Sequence, residues 1–388
     1  MTKNRWLAVP MLFWALAAVA QGPDDFSCQP GDDTSCWQRA IVAAQPEATK
    51  PAFFSVTAEP RVYRLTNTIT IHGALGGVIE GRGAILEWWG PANKPAFLIT
   101  NTQQLRIKDL RIKVVKPLYA AFEFAKRPHT EANRNFWVAP SQNFLDHVRI
   151  DAVGLNDLQY GIRFSKRYGV DQDNDQSRLE SVTIGNVTQA AISIEHSQSQ
   201  AHNFTEVRAY GAPGNTNAAF VRATAGSFNV WGGTRTNFRG AVYDLTSVYG
   251  ADTIWGENAE SSSRLVRTPT GAAGFPFPVS FYGGRFALDA LATDGKWVDF
   301  SRFGPLTITG MSVDGTPPAG IVPRLYFWPW PPGGGYSKGQ LTLQGVAFSY
   351  SRSALSDPLA LSPYAEVNSY GNLCKDAVGT LQDCVLGR

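Results

Sequence analysis

The stretches Leu-Arg-Ile-Lys-Asp-Leu-Arg-Ile (105–112), Phe-Leu-Asp-His-Val-Arg-Ile (144–150), Leu-Glu-Ser-Val-Thr-Ile (179–184), Val-Ser-Phe-Tyr-Gly-Gly (279–284), Leu-Thr-Ile-Thr-Gly (306–310) and Leu-Thr-Leu-Gln-Gly (341–345) decide how this chain folds. Each alternates apolar and polar residues, the period of a half-buried strand, and then reaches a turn or a glycine. One inward residue per copy gives the series Leu110, Val148, Val182, Val207, Val230, Ile254, Phe281, Ile308 and Leu343, with steps of 38, 34, 25, 23, 24, 27, 27 and 35. A repeat in the twenties, lengthened at a few steps, is the pattern of a solenoid whose units carry loop insertions. A unit of that size cannot bury its own apolar face and must stack on its neighbours. The pattern predicts an all-β parallel β-helix with its function along the outer face.

Composition agrees with one elongated domain. The 388 residues are 44% apolar and only 17% charged, with 37 Gly and 24 Pro, which suits many short strands and turns. A formal charge of +3 with cations and acids interleaved gives no basic stripe, so nucleic acid is not expected as a partner. Lys3 and Arg5, the apolar run from Trp6 to Ala18, and Ala18-Val19-Ala20 before polar residues read as a secretory signal peptide, with cleavage expected after Ala20. No later segment is long and apolar enough to span a bilayer, so no membrane association is expected after cleavage, and a secreted or periplasmic location is. The cysteines fall in two local pairs, Cys28 with Cys36 and Cys374 with Cys384, as disulfide staples in an oxidising compartment would.

Four regions follow: a signal peptide (1–20), an N-terminal cap (21–50), the β-helix (51–350), and a C-terminal cap or tail (351–388). In the N-terminal cap, Asp33 or Thr34 can start a short helix whose Trp37, Ala40, Ile41 and Ala44 share one face, with Pro46 beyond its end. Such a helix can plug the open end of a solenoid. Long insertions are expected at 126–143, 166–178 and 327–335.

The run Gly-Asp-Asp-Thr (31–34), the Ala/Ile-rich helix after it, Tyr63, Ile69-Thr70-Ile71 and the stretch Gly-Val-Ile-Glu-Gly-Arg-Gly-Ala-Ile-Leu (77–86) resemble the entry of pectin-lyase-like right-handed parallel β-helix proteins. That superfamily holds pectate lyases, glycoside hydrolases, epimerases and phage tailspikes. The resemblance implies a right-handed helix and an extended polysaccharide as partner, without choosing a chemistry. Of the polygalacturonase signatures, Arg-Ile-Lys stands at 106–108 and 111–113 in ordinary strands and Gly-His-Gly is absent, which disfavours that assignment. Phe144-Leu145-Asp146-His147 is a loose match to a pectate lyase element.

Aligning Val230, Ile254 and Phe281 as inward residues makes Trp231, Trp255 and Tyr282 one outward column, with Arg208 a neighbour on the preceding rung. Strands stacked about 4.8 Å apart would make it a continuous aromatic strip, a surface on which the C–H faces of sugars pack; overlying loops turning it into a satellite core is the alternative. Around it the sequence sets Arg235, Asp244, Asp252, Glu257, Glu260 and Arg285. Asp252 and Glu257 are the expected acid and base on a glycosidic bond, since carboxylates on nearby rungs satisfy the spacings such chemistry needs. Arg235 and Arg285 are the expected substrate-binding cations. The bland alternative is a set of solvated ion pairs. A second cluster, Glu195, His196, His202 and Glu206, is the next candidate for acid–base work or for a metal site, which no tight ligand spacing supports, or else a hydrogen-bonded turn. No cofactor or metal is expected, with calcium at Asp171, Asp173 and Asp175 a candidate. No EF-hand glycine follows these acids, and Val182 stands where the motif has glutamate.

The expectation is a secreted protein that binds and cleaves polysaccharide, as a hydrolase or a lyase. The rival is a non-enzymatic carbohydrate-binding, adhesion or tailspike-like module. Sugar identity and oligomeric state are not legible.

Overall fold

The structure, a computed structural model, describes residues 21–45, 54–128, 140–169, 174–246, 250–268, 277–288, 294–301, 304–315, 319–321, 323–329, 339–351, 359–375 and 380–384. The expected signal peptide and the acids Asp171 and Asp173 lie outside them. The chain is a right-handed parallel β-helix. Each full rung lays one strand on each of three faces, and each strand pairs in parallel with its counterpart on the next rung.

The rung around residue 210 shows the unit. His202–Thr205 lies on the first face, Arg208–Gly211 on the second and Ala219–Ala223 on the third. These pair onward with Phe228–Trp231, Thr234–Thr236 and Ala241–Leu245. All the inward anchors expected from the sequence are buried. The series nevertheless changes column. Val207 follows the corner between faces one and two, whereas Val230 is a strand centre paired with Phe204.

That corner is a single residue in the left-handed region. Asp109, His147, Ser181 and Glu206 occupy it on successive rungs at φ of 51, 51, 52 and 51°, and Gly232, Gly256, Gly283, Gly310, Gly345 and Gly371 occupy it thereafter. Its N–H still joins the ladder: Glu206 N donates to Trp231 O at 2.9 Å and Gly232 N to Trp255 O at 2.8 Å. A left-handed residue costs an L side chain about 1–2 kcal/mol, which accounts for the run of glycines.

The interior is a stack of rings. Phe124, Phe164, His202, Phe204, Phe228 and Tyr243 follow one another at centroid distances of 4.1–6.3 Å. Phe124 and Phe164 are register partners on adjacent rungs, and the later rings meet along one strand, diagonally or across the interior between faces.

The expected cap helix forms at Thr34–Ala44 and buries Trp37, Ala40, Ile41 and Ala44. Its starting residues serve the first rung instead of the helix. Asp33 makes no side-chain cap; its carboxylate accepts from Arg64 N (2.7 Å), and Thr34 Oγ1 accepts from Thr66 N (2.9 Å). Gln38 imitates a strand, its amide donating to Thr70 O at 2.9 Å and accepting from Thr70 N at 2.8 Å. The open edge of the first rung is thereby hydrogen-bonded.

Parallel pairing continues past residue 350, where the sequence pattern fades, through Leu359–Leu361, Ala365–Tyr370 and Leu373–Lys375. Leu381–Asp383 then folds back antiparallel. Both expected disulfides, Cys28–Cys36 and Cys374–Cys384, are formed.

Candidate functional site

On the first face Phe228–Trp231 alternates strictly, burying Phe228 and Val230 and turning Asn229 and Trp231 outward. Register carries this to the next rungs, Trp231 opposite Trp255 and Trp255 opposite Tyr282. The indoles of Trp231 and Trp255 stack with centroids 5.5 Å apart and planes within 3°, and Tyr282 continues the column at 4.3 Å and 21°. Trp231 and Trp255 remain 45% and 40% exposed, so no described segment covers them. The corner beside each ring is a bare glycine, Gly232, Gly256 or Gly283. On the other side runs a neutral polar column of Asn203, Asn229, Thr253 and Ser280. Its first two amides are joined, Asn229 Nδ2 donating to Asn203 Oδ1 at 3.3 Å. The outer edges of the stacked rings form an apolar strip flanked by amides and hydroxyls, against which a sugar can pack and hydrogen-bond.

Towards the N-terminus the aromatic column passes into Thr205, Glu180 and Asp146. The neighbour of Trp231 on the preceding rung is thus Thr205; Arg208, expected there, lies on the second face. Asp146 Oδ1 and His147 Nδ1 are 2.5 Å apart, and Arg106 holds the other oxygen of Asp146. Burial works to raise the Asp146 pKa, but the bonds from Arg106 and His147 outweigh it and hold the carboxyl below its usual range. Glu180 is exposed one rung on. Glu206 lies against Gly232, at whose position a Cβ would meet Glu206 Oε1 at 2.4 Å. It is the carboxylate set beside the aromatic column. Next to this segment a cavity of about 480 Å3 is lined by Gln142, Phe144, Gln176, Arg178, Ala201 and Asn203.

The expected acid and base are not on this face. Glu257 and Arg235 point into the solenoid and are fully buried. Glu257 Oε2 accepts from the Tyr243 hydroxyl, its Oε1 lies 3.8 Å from Arg235 Nε, and Arg235 donates to Val207 O (2.6 Å) and Gly232 O (3.0 Å). The Arg235 guanidinium also covers the Phe220 ring at 3.9 Å. Burial raises the Glu257 pKa, opposed by the Arg235 charge and the Tyr243 hydroxyl. Asp252 is 1% exposed and accepts from Phe228 N at 3.0 Å, a bond between rungs.

Arg285 is exposed on the second face, paired with Glu260 at 3.0 Å and Asp314 at 2.8 Å. Asp244 lies on the third face between Arg222 and Arg267, within a ladder of alternating charge. The second cluster is likewise divided. Glu195 forms a two-pronged pair with Arg163 on the third face, and His196 sits in the turn after that strand, accepting from Gln198 N at 3.2 Å. His202 is wholly interior, where burial pushes its pKa down to about 3. Glu206 alone joins the first-face site.

Sequence reasoning missed the polar column and the cavity. A signal for the column was present: Asn229, Thr253 and Ser280 each stand two residues before an aromatic, and so share its face.

No family model matches the chain, and no curated protein matches it in sequence. Solved structures do resemble it. The A-module of the Azotobacter vinelandii mannuronan C-5 epimerase AlgE6 aligns over 91% of this chain and 99% of its own, at 13% identity and a TM-score of 0.51. The Agl-KA catalytic domain structure aligns over 91% of this chain and 68% of its own, at 10% identity and a TM-score of 0.52. At such identities the likeness is one of fold.

Proposed function

We propose that this protein binds an extended polysaccharide along its first face. The observation that carries this reading is the stack of nearly parallel rings of Trp231, Trp255 and Tyr282, with both indoles exposed. Two indoles left open to solvent in one row, continued by the half-buried Tyr282, are costly unless a ligand covers them, and the flanking Asn and Thr column offers hydrogen bonds to a sugar edge. The β-helix shared with a mannuronan epimerase module supports a polysaccharide partner. Two disulfides suit a secreted or periplasmic setting.

Cleavage of that polymer, if it occurs on this face, belongs to His147 with Asp146, to Glu180 and to Glu206. Asp252 and Glu257 are sealed inside. The same placement favours the second reading, a non-enzymatic binding or adhesion module, because the carboxylates expected to converge on the strip do not.

The deciding experiment is affinity electrophoresis of the mature protein in gels containing neutral and uronate-containing polysaccharides, with unsaturated ends and reducing ends assayed in parallel. Retardation that Trp255→Ala abolishes supports the platform. Retardation without new chain ends supports the binding module, and no retardation in any gel rejects both.

A further inference from the structure

The cavity at the N-terminal end of the first face is built from a ladder that stops. Gln104, Gln142, Gln176 and Ala201 occupy one left-handed corner on successive rungs, at φ of 58, 55, 55 and 55°. Backbone bonds stack them, Gln142 N donating to Asp175 O and Gln176 N to Gln200 O, both at 2.8 Å. The side-chain amides run one way. Gln104 Nε2 donates to Gln142 Oε1 at 3.1 Å, and Gln142 Nε2 donates to Gln176 Oε1 at 3.1 Å. The next position is Ala201, which has no side-chain carbonyl to receive Gln176 Nε2. The missing side chain opens the cavity and leaves an amide donor on its wall.

The other polar groups there match. Arg178 is exposed and makes no ion pair among the described residues, whereas Arg106 on the same face is paired with Asp146. It stands between Phe144 and Asn203 in one outward column, and that column continues through Asn229 beside Trp231. Asn203 turns its nitrogen away, donating to Ala201 O at 3.0 Å. The cavity thus offers a cation, an amide donor and the Phe144 ring, and among the described residues no carboxylate lines it.

We infer that this cavity is a subsite for a sugar bearing a carboxylate or sulfate, so that the polysaccharide held by the first face is an acidic one. The inference rests on the platform reading above. The charged substituent meets Arg178 and Gln176 Nε2, its ring lies against Phe144, and the chain leads past Asn203 and Asn229 onto Trp231.

The test uses neutral, carboxymethylated and sulfated forms of several glucan backbones in affinity electrophoresis with the full mature chain. The wild type is expected to bind a charged form about tenfold or more tightly than its neutral parent, the scale of one charged hydrogen bond. Arg178→Gln should abolish that preference. Ala201→Gln, which extends the ladder and fills the cavity, should do the same without removing a charge. Arg208→Gln on the second face should preserve it. Which charged form is preferred identifies carboxylate or sulfate as the natural group. Equal binding of neutral and charged forms, or a preference that survives Arg178→Gln, overturns the inference, as does an equal loss with Arg208→Gln, which would mark general attraction to a polyanion. Trp255→Ala separates the two ideas. It should weaken every form alike, and if it weakens none the platform fails independently; absence of binding to every form overturns both.

Discussion

Arg235 Nε lies 3.8 Å from Glu257 Oε1 inside the solenoid, with both side chains fully buried. The space comes from the neighbouring rungs. Gly233 and Gly284 hold the positions equivalent to Glu257, and a Cβ there would meet Val207 O and Glu257 O respectively, each at 2.1 Å. A buried pair of this kind adds little net stability, but losing one member leaves the other uncompensated. Arg235→Met should therefore destabilise the protein by about 3–5 kcal/mol, and Arg235→Met with Glu257→Gln by less than the sum. Because burial raises the Glu257 pKa, the folded state holds this proton more firmly than the unfolded chain. Its contribution is fully present below the ordinary carboxylate value and is lost as pH rises through the raised one. Urea unfolding over a pH series should show that fall in the wild type and not in Glu257→Gln.

His202 should act with the opposite sign. Its pKa is pushed down by burial to about 3, so between its ordinary value of 6.5 and that point the unfolded chain takes up a proton that the folded one refuses. Stability should be constant above about 6.5 and fall with acidification at up to about 1.4 kcal/mol per pH unit. His202→Phe keeps a ring in the stack with Phe164 and Phe204 and should flatten this part of the profile. An unchanged slope would show that His202 is protonated in the folded state.

Trp255 is the centre of the exposed stack. Trp255→Ala should cost about 1–3 kcal/mol of polysaccharide binding while leaving the unfolding transition nearly in place, since the side chain lies outside the core. Titration calorimetry with a retained oligosaccharide, beside thermal melts, separates the two. A variant that unfolds would show the indole to be structural.

Gln38→Ala removes the amide that closes the first-rung edge at Thr70. Leaving that backbone N–H and C=O without their partner should cost about 1–3 kcal/mol. The uncovered edge should also make the variant self-associate, to be read by light scattering against the wild type.

Local pattern alone specified the solenoid, the inside and outside of each strand up to its corner, the helix with its buried face, both disulfides and the outward column at 231, 255 and 282. All depend on local period or on separations of a few residues, and period-2 alternation assigns inside and outside within any one strand. What lies across a corner follows only from the stacked rungs. The left-handed residue shifts the parity of alternation, so that Trp255 and Gly256 both face outward and Glu257 turns inward, where strict alternation sets Glu257 outside. The same shift carries Arg235 into the core after Gly232 and turns Arg285 outward after Gly283. The cavity depended on stacking as well. Gln104, Gln142, Gln176 and Ala201 are separated by insertions of unequal length, and only the rung register shows that Ala201 is where the amide ladder ends.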